Sequence, residues 1–189
     1  MNTQANTNVA ILAGGKSIRF GSPKVNAKVN GLEFGEMIIR ALRGAGFSEI
    51  CLVGGDAHDA KRWSVAFVPD LYVDSGPLGA LISAMRASET EILLTLPCDV
   101  PFINSESCKA ISELSNNFDV RVAITDSPQW LCSSWRTSIT DFLVHEFELG
   151  ERAIQKVVEK LKIEFVEISP DVLINVNEKS QLRSHFERF

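Results

Sequence analysis

Short, almost uncharged apolar runs alternate with stretches of helical periodicity along most of this chain, and that alternation limits the fold more than any other feature. Val9-Ala10-Ile11-Leu12 is stopped by Gly14 and Gly15, and Ile50-Cys51-Leu52-Val53 by Gly54 and Gly55. Val65-Ala66-Phe67-Val68 ends at Pro69, and Ile92-Leu93-Leu94-Thr95-Leu96 ends at Pro97. Between them, Phe34, Met37, Ile38, Ala41 and Leu42 recur at helical spacing, with Gly44 and Gly46 as stop signals. A second helix is expected over Leu78–Ala87, behind Gly76-Pro77. Ser105–Leu114 reads as a third helix with Ser105 as its N-cap, and Val120–Ile124 as a further strand. Strand–helix repetition implies parallel strands joined by crossover helices: an α/β three-layer sandwich around a mostly parallel central sheet. Strands without charges fit a sheet covered on both faces. Such sheets bind ligands outside the carboxyl ends of their strands, so functional residues are sought there.

With 45% apolar and 23% charged residues, the chain has ordinary globular composition, which excludes disordered, collagen-like and coiled-coil classes. Its 189 residues suffice for one substantial core, so residues 1–189 read as a single domain, with 1–7 as a loose tail. A net charge of −5 argues against a nucleic-acid or anionic-membrane partner, either of which needs a basic face. It leaves room for a small anion held by a few cations. No uncharged stretch is long and apolar enough to span a bilayer, and no cation precedes Val9–Ala13 as a signal peptide requires. Cys51, Cys98, Cys108 and Cys132 form no CxxC pair, and His58, His145 and His185 form no metal-ligand cluster. Reduced thiols and a cytoplasmic location are the expectation.

Strand one runs into Leu12-Ala13-Gly14-Gly15-Lys16-Ser17-Ile18-Arg19-Phe20-Gly21-Ser22-Pro23-Lys24. Glycines let backbone N–H groups approach a ligand, which suits phosphate. Arg19 can fork onto phosphate oxygens and Lys24 can act as a compact point charge. Two common phosphate loops do not fit. A P-loop ending at Gly15-Lys16-Ser17 would need glycine where Ala10 stands, and Gly14, Gly15 and Gly21 are wrongly spaced for GxGxxG. By chemistry alone the segment reads either as a phosphate site or as a surface loop with solvated cations.

The full string resembles the signature of nucleoside-triphosphate transferases, the fold shared by sugar-nucleotide pyrophosphorylases and molybdenum-cofactor nucleotidyltransferases. That signature is an apolar strand, then L-A-G-G-x-S-x-R-F/M-G, then Lys a few residues on. Leu12, Ala13, Gly14, Gly15, Ser17, Arg19, Phe20, Gly21 and Lys24 match it. Further landmarks narrow the resemblance to the molybdenum cofactor guanylyltransferase family. Asp70 with Gly76-Pro77-Leu78-Gly79 downstream is similar to that family's nucleotide-contacting aspartate and its G-P-L-G/A helix start. Pro97-Cys98-Asp99-Val100-Pro101 resembles its P-C-D-x-P motif, whose aspartate holds magnesium. Read without that context, Asp70 and Asp99 are turn formers or helix caps.

The acceptor side of the resemblance lies in the last third. Gln129–Arg136 reads as an amphipathic strand, with Trp130, Cys132 and Ser134 on one face and Leu131, Ser133 and Trp135 on the other. It is similar to the family's H/Q-P-L-x-A-L-Y/W-R segment, with Trp130 in place of proline and Arg136 as the cation. Gly150-Glu151-Arg152 opens a helix to about Leu161 and resembles G-E/D-R-R-V, with Ala153 in place of the second arginine. Asn175 and Asn177 match the family's N-x-N; on a strand they share one face, and otherwise they read as a turn and an N-cap.

The resemblance implies a Rossmann-like nucleotidyltransferase fold and transfer of GMP from GTP to molybdopterin phosphate, with release of pyrophosphate. It implies Arg19, Lys24 and Asp99 as the catalytic set, and Leu12, Ala13, Gly14, Gly15, Lys24, Asp70 and Asp99 around the nucleotide. It further implies Mg²⁺ on Asp99, and Arg136, Asn175 and Asn177 on the acceptor side. Molybdoenzyme maturation partners are further candidates, and oligomeric state is left open. Sister enzymes that use CTP carry L-A-A-G and P-x-D-M-P, and this chain differs from both at Gly14 and Val100. Transfer to a different phosphorylated acceptor is a second rival activity, and nucleotide binding without chemistry a third. Arg19, Lys24 and Asp99 together argue against the third.

Overall fold

The computed structural model describes residues 7–14 and 23–176. Its elements are β1 (Thr7–Leu12), β2 (Lys28–Val29), β3 (Leu32–Glu33), α1 (Phe34–Gly44), β4 (Ile50–Val53), α2 (Ala57–Arg62), β5 (Ala66–Val68), α3 (Gly76–Ala87), β6 (Ile92–Pro97), α4 (Ser105–Ser112), β7 (Val120–Ile124), β8 (Pro128–Arg136), α5 (Thr140–Glu148), α6 (Ile154–Val158) and β9 (Ile163–Glu167). Seven strands form one sheet in the order β5-β4-β1-β6-β8-β7-β9, and β2 and β3 form a separate hairpin. Only β8 runs against its neighbours β6 and β7.

Period-2 alternation in β1 sorts its side chains between two helical layers. Val9 and Ile11 pack with Ile38, Ile39 and Leu42 of α1, Ala60 of α2, and Cys108 and Ile111 of α4. Ala10 and Leu12 pack on the opposite face with α3, with Leu143 and Phe147 of α5, and with Ile154, Val157 and Val158 of α6. This is the expected three-layer sandwich. Both faces of the parallel strands are covered, which is why they read as unbroken apolar runs. Thr7, 3% exposed, is the first residue of β1 and pairs with Ile92, so it does not belong to a tail.

Two local expectations are corrected. The cap of α4 is Asn104, whose side chain accepts the Ser107 N–H at 2.8 Å. Ser105 instead donates to the Ala41 carbonyl at 2.9 Å and ties α4 to α1. The helix expected from Gly150 to Leu161 covers only Ile154–Val158. The Glu151 carboxylate accepts the N–H groups of Arg152 and Ala153, both at 2.8 Å, and holds those residues in a turn.

Charged residues anchor the segment that follows the glycine-rich loop. Val25 is fully buried, and the Asn26 amide donates to Asp59 at 2.7 Å. Arg62 pairs with both Asp59, at 2.9 Å, and Glu33. Asp59 and Glu33 are buried, and such groups are retained only when paired. The short turn Lys24–Asn26 is thereby fixed to α2, which sets the position of Lys24.

Candidate functional site

The parallel strands deliver their carboxyl ends to one edge of the sheet. There, backbone hydrogen bonds continue beyond the strands: Ala13 N–H to Val53 O at 2.9 Å, Gly54 N–H to Val68 O at 2.9 Å, and Cys98 N–H to Leu12 O at 3.1 Å. Gly54 has φ +70, and a Cβ there would stand 3.1 Å from the Gly14 Cα. A Cβ on Gly14 would stand 3.2 Å from Asp70 Oδ2. Glycine at both positions therefore lets the ends of β1, β4 and β5 converge without side chains between them.

Two adjoining cavities, of about 270 and 380 Å³, open at this edge. The first is lined by Leu12, Gly14, Lys24, Asp70, Asp74, Ala80 and the Gly76-Pro77 start of α3. The second is lined by Pro128–Cys132, by Ala153–Gln155 and by Asn175. Pro77, Pro97, Asp99 and Leu131 belong to both walls, so the carboxylate of Asp99 stands where the cavities meet.

Around the first cavity, Lys24, Asp70 and Asp99 are each oriented by a neighbour. Lys24 Nζ lies 3.1 Å from Asp99 Oδ2, with both side chains about one-fifth exposed. Asp70 Oδ1 accepts the Tyr72 N–H at 2.9 Å and lies 3.1 Å from the Ser83 hydroxyl. Ser83 Oγ also accepts the Leu71 N–H at 3.0 Å, which binds the loop after β5 to α3. This leaves Asp70 Oδ2 on the side of Gly14. The amino end of α3, a region of partial positive charge, borders the same space.

The second cavity owes its shape to an interruption of β8. Val122 pairs with Ser133, yet the next residue, Ala123, pairs with Gln129. Trp130, Leu131 and Cys132 are thus extra residues, and the strict alternation expected for this strand fails there. Trp130 and Leu131 both pack on the α3 side of the sheet, while Cys132 packs on the α1 side. The segment leading to Val176 crosses the same edge, where the Val176 N–H donates to the Asp99 carbonyl at 2.9 Å. That bond brings Asn175 into the cavity, its amide 3.4 Å from Gln129 Oε1.

Leu12, Gly14, Lys24, Asp70, Asp99 and Asn175 are accordingly gathered in one cleft, and Ala13 lies beside it against Gly55. Gly15, Arg19 and Asn177 lie outside the described residues. Asn175 is not on a strand, so the shared-face argument for the two asparagines does not apply. Arg136 is corrected. It pairs with Ile92 at the start of β6, the opposite end of the sheet from Asp99. Its guanidinium donates to Phe118 O at 2.9 Å and Ser115 O at 3.0 Å, which makes it a loop anchor. Antiparallel β8 begins at the site and runs away from it, which accounts for the misplacement.

Asp74, Gln155, Ser83 and Thr95 are functional candidates that no sequence motif marks. Asp74, with φ +60, stands two residues before Gly76 in the turn entering α3, and that cluster of turn residues is a usable signal. Ala153, the position of the missing arginine, lines the second cavity, while Arg152 stacks on Phe147 at 3.7 Å. Burial pushes the Cys98 thiol up to about 12, which fits a packing residue and not a nucleophile.

Among the described residues, no group of three or more His, Cys, Asp and Glu side chains could hold a metal ion by itself. Magnesium binds through one or two carboxylates together with phosphate oxygens and waters, and Asp99, with Asp70 and Asp74 on the same cavity, offers hard carboxylates of that kind.

Comparison with known proteins bears on the family and the fold. A Clostridium perfringens protein is 28% identical over 163 residues, covering 85% of this chain and 81% of its own length. One from Bacillus cereus is 27% identical over 184 residues, covering 90% and 91%. Both bear the name "Probable molybdenum cofactor guanylyltransferase". The crystal structure of molybdopterin-guanine dinucleotide biosynthesis protein A from Archaeoglobus fulgidus superposes with a TM-score of 0.77 at 21% identity, covering 96% and 97% of the two chains, and so shares the fold. The MobA-like NTP transferase domain matches residues 9–166, which reaches from within β1 to within β9; the chain belongs to that family.

Proposed function

We propose that this protein transfers GMP from GTP to the phosphate of molybdopterin, releasing pyrophosphate and forming a pterin guanine dinucleotide. The observation that carries the reading is the pair of cavities sharing Asp99. Direct transfer between two anions needs two sites that open onto one point of charge neutralisation. The names of the relatives supply the substrates, and Gly14 and Val100 agree with the guanine side of the family resemblance.

In this reading GTP occupies the first cavity. The backbone of Leu12–Gly14 approaches the nucleotide closely because Gly14 and Gly54 carry no side chains. Asp70, held by Tyr72 and Ser83, presents its second oxygen to the nucleotide. Lys24 and Arg19 take the triphosphate. An incoming triphosphate competes for Lys24, drawing its ammonium from Asp99 and freeing that carboxylate. Asp99 would hold magnesium, which when bound would supply neutralising positive charge to the reacting phosphates. The acceptor occupies the second cavity, where Gln129, Gln155 and Asn175 offer both donors and acceptors. Its phosphate is already anionic, so no protein base is needed to generate the nucleophile. Asn177 is assigned to the acceptor by the N-x-N motif alone, and cytoplasmic biosynthesis within a single domain is the proposed setting.

A panel of GTP, CTP, ATP and UTP with molybdopterin and Mg²⁺, read by pyrophosphate release, tests the proposal. GTP is expected to be used at least about tenfold better than CTP, a difference of about 1.4 kcal/mol. Release that is equal without molybdopterin, or preference for another nucleotide, would overturn it.

A further inference from the structure

Thr95 is the one polar residue in Ile92-Leu93-Leu94-Thr95-Leu96, and it is fully buried. Its hydroxyl accepts the indole N–H of Trp135, also fully buried, at 3.0 Å. It can donate to the Leu131 carbonyl at 2.9 Å or the Ser133 carbonyl at 3.1 Å. The Ser133 hydroxyl, buried as well, donates to the Trp130 carbonyl. Two buried hydroxyls thus take the place of the strand ladder at the residues where β8 leaves it. Pairing between β6 and β8 ends at Thr95–Ser133. Beyond that pair the strands part, and Pro97 and Leu131 face a cavity where a continuous sheet would have closed it. Bulges of this kind re-aim side chains beside active sites, but an extra residue's carbonyl must still find a donor.

We infer that Thr95 is a positioning residue for the acceptor: with Ser133 it holds the Trp130–Cys132 bulge in the shape that forms the wall of the second cavity. The inference rests on the reading of that cavity as the acceptor side. It assigns Thr95 no contact with substrate. Its effect passes through the Leu131 and Ser133 carbonyls to the Gln129–Leu131 wall. Of the bulge only Leu131 also borders the first cavity, whose other walls are the ends of β1 and β6, Lys24, the loop after β5 and α3, so GTP binding is expected to change far less than acceptor use.

Thr95→Val keeps the shape of the side chain and removes the hydroxyl, Ser133→Ala removes the second donor, and Thr95→Ser retains the first. Amide hydrogen exchange across 128–133 is measured in the ligand-free protein, alongside KM for molybdopterin and Kd for GTP. Thr95→Val and Ser133→Ala are each expected to speed exchange of that segment and raise the molybdopterin KM by about tenfold, the size of one lost hydrogen bond to a buried carbonyl. Thr95→Ser is expected within about threefold of wild type, and GTP Kd within about threefold in all three. Unchanged exchange, an unchanged molybdopterin KM with faster exchange, or an equal loss of GTP affinity would each overturn the inference. Should wild-type protein fail to use molybdopterin, the functional reading falls, while the exchange data still decide whether the two hydroxyls hold the bulge. If Thr95→Val does not fold, Ser133→Ala carries the test.

Discussion

Replacing Asp99 by asparagine separates the chemistry of the cleft from its stability. The substitution preserves side-chain size and leaves the backbone bond from Val176 N–H to the Asp99 carbonyl in place. What it removes is the charge facing Lys24 at 3.1 Å. Both side chains are only about one-fifth exposed, so water and salt screen the pair in part. The stability lost is then about 1–2 kcal/mol, between the values for an exposed and a buried pair, and for a chain of this length about 1 kcal/mol moves the melting temperature by roughly 2–4 °C. Turnover answers to a different quantity. Asp99 is the carboxylate common to both cavities, and an amide attracts a hard cation far less than a carboxylate does. Loss of one preorganised charge-stabilising group costs about 10²–10³ in rate. Pyrophosphate release measured across a magnesium titration, with thermal melting of the same preparation, checks both halves. Near-wild-type turnover at saturating magnesium would remove Asp99 from the reaction. A melting temperature lowered by more than about 10 °C would make it a structural residue instead.

Three further outcomes follow from the geometry. Ser83→Ala is expected to raise the GTP KM by about three- to tenfold, from loss of the hydroxyl beside Asp70, and to add nothing once Asp70 is already alanine; additive losses would contradict a role through Asp70. Burial acts to raise the Asp59 pKa, but hydrogen bonds from Arg62 and Asn26 outweigh it and hold the carboxyl below its usual value. That stabilisation is present above the unfolded pKa of about 3.9 and is lost as pH falls through the folded one, so Asp59→Asn should flatten the acid limb of stability against pH, measured by urea unfolding; parallel limbs would refute the pairing. Burial pushes Cys51 up to about 11 and Cys108 up to about 12, and raises Cys132 as well. A thiol reagent at neutral pH should therefore label the native protein slowly and label four thiols in denaturant; rapid native labelling of Cys98 would contradict its packing role.

The parts of the fold legible in the sequence are those whose burial is complete. Ile50–Val53, which is uncharged, and Val120–Ile124, apolar except for Arg121, form strands with the expected bounds because most of their side chains are buried. Elements with half-buried or short apolar faces were not legible. In α2 only Ala60 is both apolar and buried, so no helical period exists to be read. In β9, an edge strand, Phe165 is exposed and Glu164 serves as ion-pair partner to Arg121. Of the site, the nucleotide half was visible because Gly14, Asp70 and Asp99 lie within a few residues of strand ends in a single motif each. The acceptor half was less so. Arg136 was drawn toward the cleft by a motif, while the antiparallel direction of β8 carries it to the far end. Thr95 and Ser133 matter through contacts about forty residues apart, which spacing along the chain does not encode.

Stereochemistry at the transferred phosphorus tests most directly the claim that two cavities meeting at Asp99 pass GMP straight from donor to acceptor. The protein is given GTP carrying a chiral α-thiophosphate together with molybdopterin, and the configuration of the dinucleotide product is read by phosphorus NMR. One in-line displacement inverts the configuration, and inversion is the predicted result. Retention would mean that GMP first bonds to the protein and is displaced a second time, and would contradict direct transfer across the shared wall.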